Sequence, residues 1–531
     1  METTVGHFEF LLLLMAIVIG LEVLARRLKL PPAAALIAGG IGLALTPAMP
    51  TLALDPNLVL VLFLPPLLMA SAYFTAWRDF KADLRIILQL AVGAVAFTTF
   101  VVGVAAHWLA PTLPWAACFT LGAIVSPPDA VAAKAVLKNL RLPPRVTVLL
   151  EGESLVNDAS GLVLFRFAVA AALTGSFSAS HAAVSFIVLA AGGVAAGVLF
   201  GLGTSFLTAR LREPNLAIAL SLLTAWVSYI GANAAGVSGV LSTVACGLVV
   251  GWRQHKILSA DTRMQARGVW EMIVFVFESL IFILIGLSLR GVLSRFGGGW
   301  DAILALLPAA AVLIAAVVLA RFAWIFPATY IPRAVFPALR RRDPAPPIAV
   351  PIVMSWAGMR GVVSLAAALS LPADFPGRDF ILAMSFSVIL ATVLVQGATL
   401  GPLIRLLRLE GLTLTGSTTL PEAAARARLA QAQLAAVEAQ SAQADGTQLH
   451  PRLVEQYNYR ARAATNFSQA VDDLSTHRQA HFAVVLNAVT AARAELLKMH
   501  RAQEIQDSVL HTLEQELDLE EMTARHFAGQ E

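Results

Sequence analysis

Charge is scarce in this chain. Of 531 residues only 14% are Asp, Glu, Lys or Arg, against about a quarter in an ordinary soluble domain. A water-soluble globular protein of this length is excluded, because residues 1–410 lack the polar surface one would need. Cysteine is also scarce: Cys118 and Cys246 both fall inside apolar runs, so there is no disulfide framework and no cysteine-built metal site. Met1 to Gly6 lacks a basic segment, and Arg26, Arg27 and Lys29 follow the first apolar run. A cleaved signal peptide has the reverse order, so the run is expected to be a retained span. No short-period repeat is visible. No Ser/His pair or metal-ligand set lies deep in an apolar segment, His107 and His181 being near segment ends, which argues against an intramembrane hydrolase and against an enzyme.

What the chain has instead is length in apolar residues, 58% of the total. Runs of about 20 residues, each able to cross a hydrocarbon core of about 30 Å, recur over the first 410 positions. Spans are expected near 8–25, 33–46, 56–76, 86–107, 115–137, 146–173, 182–209, 214–231, 236–252, 268–289, 301–327, 348–371 and 379–407. The fold class is therefore an all-α polytopic membrane protein with about 13 crossings. The second span is short and rich in Gly and Ala and must pack closely against its neighbours.

The formal net charge of +4 joins unlike halves. Residues 411–531 carry 10 basic and 15 acidic residues, a net of −5, and the remainder carries 28 and 19, a net of +9. Alternate loops hold Arg26/Arg27/Lys29, Arg78/Lys81/Arg85, Lys138/Arg141/Arg145, Arg210/Arg212, Arg253/Lys256/Arg263/Arg267 and Arg333/Arg340/Arg341/Arg342, while the loops between hold only Arg290, Arg295 and Arg378. The positive-inside rule places the basic loops in the cytoplasm, the N-terminus outside and the C-terminus inside. The basic excess thus reports on a lipid bilayer, with no nucleic-acid partner. Two domains are expected: 1–410 in the membrane, and 411–531 as a cytoplasmic helical tail. Gly411 to Thr419 reads as a linker, and Thr419-Leu-Pro-Glu422 as a capping box. Six of the ten histidines lie in the tail, which reads either as a pH-sensing regulatory domain or as a plain solvated helical tail.

Polar residues at membrane depth are by default functional-site hypotheses. In Leu121-Gly-Ala-Ile-Val-Ser-Pro127-Pro128-Asp129 two prolines remove two backbone donors, so the fifth span must break. A break at depth is tolerated where it lines a cavity or is buried in protein. Freed carbonyls, Ser126 and Asp129 would then suit a hard cation; the alternative is a proline kink capped by Ser and Asp. In the twelfth span, Gly358-Met-Arg360-Gly361 is a second interruption, with Arg360 offsetting the negative ends of two half-helices. Two such interruptions in the two halves of a transporter point to a midplane site.

The sixth span carries Glu151-Gly-Glu-Ser-Leu-Val-Asn-Asp158. On a helix Glu151 and Asp158 lie about 20° apart on one face, and Glu153 and Asn157 about 40° apart on another. Asp158 can face an aqueous cavity while Glu153 meets a fixed partner, for which Arg321 and Arg166 are the candidates. The alternative is that these groups only pair and brace the fold. Glu278 in the tenth span is a further acid expected to be buried.

Together these residues resemble the monovalent cation:proton antiporters, in particular the electroneutral sodium/proton exchanger branch. The resemblance covers about residues 8–408. It rests on Phe63-Leu-Pro-Pro-Leu-Leu68, Ser126-Pro-Pro-Asp129-Ala-Val-Ala, Glu151 to Asp158 and Ser355-Trp-Ala-Gly-Met-Arg360-Gly. It implies an inverted-repeat antiporter fold with two crossing interrupted helices, and a homodimer in the plasma (bacterial inner) membrane. It also implies that Asp158 carries either cation or proton, with Asp129 and Ser154 lining the site for transported Na⁺. Glu153 would be bridged to Arg321, and Asn157, in place of a second Asp, would go with one-for-one exchange. No cofactor is implied beyond the transported Na⁺ or K⁺ and H⁺. The chain departs from the pattern at Pro128, where Thr is common, and at Met69-Ala70-Ser71, where some relatives have Glu. A K⁺/H⁺ antiporter of the same fold, and a cation channel or sensor, remain as alternatives.

Overall fold

The computed structural model describes residues 2–28, 30–46, 56–129, 133, 142–175, 179–295, 300–409, 421–442, 447–469 and 471–528. Among these, regular structure is helical. The chain forms two compact units, Met1–Gly416 and Ser417–Glu531. The first contains α1 (Glu2–Leu28), α2 (Pro32–Ala44), α3 (Pro56–Phe74), α4 (Leu84–Leu109), α5 (Trp115–Val125), α6 (Pro144–Thr174), α7 (Ala179–Thr208), α8 (Pro214–Ala234), α9 (Gly239–Ile257), α10 (Ala260–Arg295), α11 (Trp300–Val335), α12 (Ala349–Trp356), α13 (Val362–Leu369) and α14 (Arg378–Leu406). Pro32, Pro144 and Pro214 open α2, α6 and α8, positions where the missing N–H costs nothing.

Among the described residues, eight helices are long and apolar enough to cross a membrane. Seven precede residue 410, fewer than the thirteen crossings expected, partly because the chain breaks leave α5 and α12–α13 in pieces too short to qualify. The eighth, Gln479–Arg501, belongs to the second unit. Its Arg493 is ion-paired at 2.5 Å to both Asp518 and Glu521 of the next helix. That partner helix is too acidic to enter a bilayer.

Small residues let the membrane helices approach one another. A Cβ at Gly40 of α2 would lie 2.3 Å from the Ile283 carbonyl of α10, and one at Gly286 the same distance from that of Ile37. The short second span is thus locked backbone to backbone on α10. On α7, Gly197 meets Ser242 of α9, where a Cβ would lie 2.1 Å from its carbonyl oxygen.

At the ends that adjoin the basic loops, a charged clasp joins four segments. Arg145, at the start of α6, donates to Asp83 (2.6 Å) and to Asp343 (2.8 Å). Arg333 of α11 holds the other Asp343 oxygen at 2.6 Å. Burial opposes the charged form of Asp343, but the two guanidiniums outweigh it and hold its carboxyl below the usual carboxylate range. A lowered folded pKa gives stability that is present above the unfolded value, about 3.9, and lost as pH falls through the folded one. In detergent, Asp343→Asn should unfold at a lower temperature than wild type at pH 7, and the gap should close below about pH 4. A pH-independent gap would mean that the charge is not its source.

The second unit contains α15 (Glu422–Ser441), α16 (Pro451–Gln469), α17 (Val471–Arg501) and α18 (Asp507–Ala528), packed as the hairpins α15–α16 and α17–α18. Phe482 stacks on Phe527 at 5.5 Å, and Arg426 lies over the same ring at 5.3 Å, so the hairpins share contacts. His500 pairs with Asp507 at 2.6 Å across the α17–α18 turn. The linker 411–419 and Thr419 of the capping box lie outside the described residues, as do Lys29, Lys138 and Arg141.

Candidate ion-binding site

Both interruptions are present. The α5 helix ends at Val125, and residues 126–129 are non-helical. Most of the fifth span beyond Asp129 lies outside the described residues. Residues 357–361 separate α12 from α13. The two breaks touch directly. The Asp129 backbone N–H donates to the Met359 carbonyl at 2.7 Å, and the Asp129 carboxylate lies against Gly361, where an added Cβ would meet Oδ2 at 1.6 Å. Arg360, fully buried, serves both ends. Its Nε donates to the Val125 carbonyl (2.8 Å), one Nη to that of Ser126 (3.4 Å), and the other to that of Gly358. These carbonyls terminate α5 and follow α12, so one guanidinium sits on the negative ends of two helix dipoles.

Against this crossing lies α6, continuous through the motif. Glu153 is 1% exposed, Asn157 0% and Asp158 8%, and Glu151 and Ser154 are half-buried. Glu153 faces Arg321, whose two Nη atoms donate to its two oxygens at 2.7 and 3.1 Å, with a third bond to the Met354 carbonyl at 2.9 Å. Gly358 leaves room for the Arg321 side chain, whose Cδ would lie 2.3 Å from an added Cβ. Arg166, the other candidate partner, does not reach Glu153: it is exposed and lies within electrostatic reach of Tyr229. Two further helix turns separate it from the motif. Glu278 is half-buried rather than buried.

The carrier candidates lie toward the break after α5, and Asn157, which the helical period groups with Glu153, turns to that break as well. Asp158 lies within electrostatic reach of Asp129, so a carboxylate from α6 and one from the break after α5 share one site. Asn157 donates through Nδ2 to the Pro128 carbonyl at 2.7 Å, tying α6 to the break. Its Oδ1 is buried with no hydrogen-bond partner among the described residues. A buried acceptor left open is costly and calls for a ligand, a proton donor or water. Ser154 sits one turn before Asp158 on the same face.

Sequence reasoning missed several groups. Both α4 and α14 contain a π-helical turn, at Gln89–Ala94 and Thr392–Gln396. In the first, the Ser160 hydroxyl donates to the Ala91 carbonyl and Trp324 Nε1 to that of Gln89 at 3.0 Å. In the second, Thr392 Oγ1 accepts the Arg360 backbone N–H at 3.1 Å. Thr99 donates to the Ser126 hydroxyl at 3.1 Å. Single hydroxyls in apolar runs carry no sequence signal, and π-turns, although frequent at functional sites, have none either.

Gly361→Ala tests the crossing. Any Cβ there collides with the Asp129 carboxylate, so exchange should fall at least about fivefold, in line with a steric cost of about 1–3 kcal/mol. Ala at exposed Gly42, with open space beside it, should be silent. Equal activity of Gly361→Ala and wild type in a proteoliposome flux assay would contradict the packing described.

Two discontinuous helices meeting end to end, buried at membrane depth and supplied with carboxylates, define a multi-pass secondary transporter. The family model for the transmembrane sodium/hydrogen exchanger matches residues 12–406, and the chain belongs to that family. It is 33% identical over 538 residues to an uncharacterized Na(+)/H(+) exchanger of Mycobacterium tuberculosis, covering 97% of this chain and 96% of that one. A sodium, potassium, lithium and rubidium/H(+) antiporter of Bacillus pumilus is 32% identical over 414 residues, 74% of this chain and 60% of that one. The fold is that of a sodium proton antiporter from Methanocaldococcus jannaschii, with a TM-score of 0.61 at 20% identity over 77% of this chain and 100% of that one.

Proposed function

We propose that the chain is a secondary active antiporter exchanging one Na⁺ for one H⁺ across the bacterial plasma membrane, holding cytoplasmic pH and sodium within bounds. The observation that carries this is the pairing of Asp158 with Asp129 at the crossing of the two breaks. Cation and proton compete for Asp158, with Asp129, Ser154 and the open Asn157 oxygen completing the shell. A bare carboxylate is expensive to move through a low-dielectric gate, so only the loaded site crosses, and coupled exchange follows. One titrating carrier beside a neutral Asn157 fits electroneutral one-for-one exchange. Glu153, fixed by Arg321, is structural. Basic loops in the cytoplasm, the N-terminus outside, the tail inside and a homodimer complete the reading; chemical crosslinking in native membranes tests the last.

K⁺ is the second reading, because Pro128 offers no side-chain oxygen where a threonine would, and a relative is named for potassium as well as sodium. Proteoliposomes loaded with a pH dye decide both points. Na⁺, Li⁺ and K⁺ are added in turn, with and without valinomycin. Na⁺-driven proton movement indifferent to membrane potential is expected. A potential-dependent flux would sink electroneutrality, and no cation-driven flux would sink the proposal.

A further inference from the structure

A cavity of about 880 Å³, away from the Asp158 crossing, is lined at the basic-loop ends of α3, α9 and α10 and by the short helix Trp77–Ala82. Cations dominate its wall: Arg78, Lys256, Arg263 and Arg267, with His255, against Asp79 as the acidic lining residue. Its size suits a charged headgroup, since small-molecule sites run from about 300 to 1,000 Å³. A Cβ at Gly251 would lie 2.2 Å from the Tyr73 carbonyl, so α9 is pressed onto α3 beside the cavity.

The rim is apolar. Trp252 is 61% exposed, Met264 56% and Phe74 42%, and Trp77 also lines the opening. Arg267 lies over the Phe74 ring at 5.9 Å. Arg263 is held by the Leu258 carbonyl at 2.5 Å, which fixes one guanidinium in the wall without neutralising it. Exposed cations side by side with exposed aromatics match a molecule with an anionic head and apolar tails. Tryptophans at this level are typical of the membrane–water interface. Basic pockets between membrane helices on the cytoplasmic side attract anionic headgroups.

We propose that this cavity binds the phosphodiester headgroup of an anionic phospholipid drawn from the cytoplasmic leaflet. The leaflet rests on the orientation proposed above; the headgroup chemistry does not. The lipid's acyl chains run over Trp252 and Met264 into the bilayer. A lipid there bridges α3, α9 and α10, adding to the Gly251–Tyr73 approach and the Arg267–Phe74 contact.

The test uses the full-length protein in detergent, titrated with dioleoylphosphatidylglycerol and read by native mass spectrometry. Parallel arms use dioleoylphosphatidylcholine and inorganic phosphate. Phosphatidylglycerol should bind at least about tenfold more tightly than phosphatidylcholine, and Lys256→Gln with Arg267→Gln should remove that preference, each cation near an anionic headgroup contributing on this scale. Arg210→Gln with Arg212→Gln, on another basic loop, should leave it intact. Unfolding temperatures like that of wild type exclude misfolding as the cause. Equal binding by wild type and the Lys256/Arg267 variant, or equal binding of the two lipids, overturns the proposal. Displacement of the lipid by equimolar inorganic phosphate overturns the lipid as its source. Orientation is read separately: Arg253→Cys should react with an impermeant maleimide only in inside-out vesicles, the native Cys118 and Cys246 being buried.

Discussion

Asp158→Asn should insert, purify and unfold like wild type, yet drive no proton movement on addition of Na⁺, Li⁺ or K⁺. The substitution keeps shape and hydrogen-bonding capacity while removing the only atoms proposed to hold both a cation and a proton. Folding should not suffer. Asp158 is 8% exposed, and among the described interactions its close charge is another carboxylate. Neutralising it removes a repulsion and a desolvation cost rather than an ion pair. Transport should suffer completely: a fall of at least about 100-fold, which corresponds to about 2.7 kcal/mol in the barrier, down to the leak of protein-free liposomes. Asp158→Glu retains a carboxylate and should keep measurable flux. Normal exchange in Asp158→Asn would move the carrier role elsewhere, with Asp129 the first alternative.

Arg321→Met should have the opposite profile. It leaves Glu153 ionisable, 1% exposed, and stripped of two charge-assisted bonds at 2.7 and 3.1 Å. It also orphans the Met354 carbonyl at the end of α12. Removing one partner of a buried pair costs about 3–5 kcal/mol, whereas replacing both by apolar groups of similar volume is often near neutral. Arg321→Met should therefore unfold at a markedly lower temperature in detergent, and Arg321→Met with Glu153→Leu should recover much of the loss. If the double variant retains cation-driven exchange, Glu153 is a brace. If it is stable and inactive, Glu153 takes part in transport.

The parts of the site legible in the sequence were those written in local chemistry. Pro127 and Pro128 cannot sit in an unbroken helix, and Gly358 and Gly361 flank a buried arginine, so both breaks could be placed within a few residues. The 3.6-residue period separated the Asp158 face from the Glu153 face without any tertiary information. What depended on long-range packing was not legible. Arg166 and Arg321 were equal candidates by charge; the resemblance favoured Arg321, and only the placement of α11 against α6 separates them physically. That one arginine caps both breaks, that Asn157 bonds the Pro128 carbonyl, and that Ser160 and Thr392 engage two π-turns are facts about helices far apart in the chain. Part of the shortfall in crossings picked out by length comes from the same source, since a broken helix hides a span from any test that counts unbroken turns.

The shared Arg360 has a mechanical consequence. A guanidinium bonded at once to Val125, Ser126 and Gly358 couples the α5 end to the α12 end like a rivet through two plates. Sliding one break past the other would strip donors from buried carbonyls on both sides, a loss of about 1–3 kcal/mol for each. The motion that alternates access should therefore carry both breaks together and be taken up at an outer seam, as rigid-body movement of one helical bundle against another. Spin labels on the outer ends of α5 and α13 should keep one separation whether Na⁺ or H⁺ is bound, while pairs from α5 to α8 change. A shift within the first pair would mean that the rivet opens during the cycle.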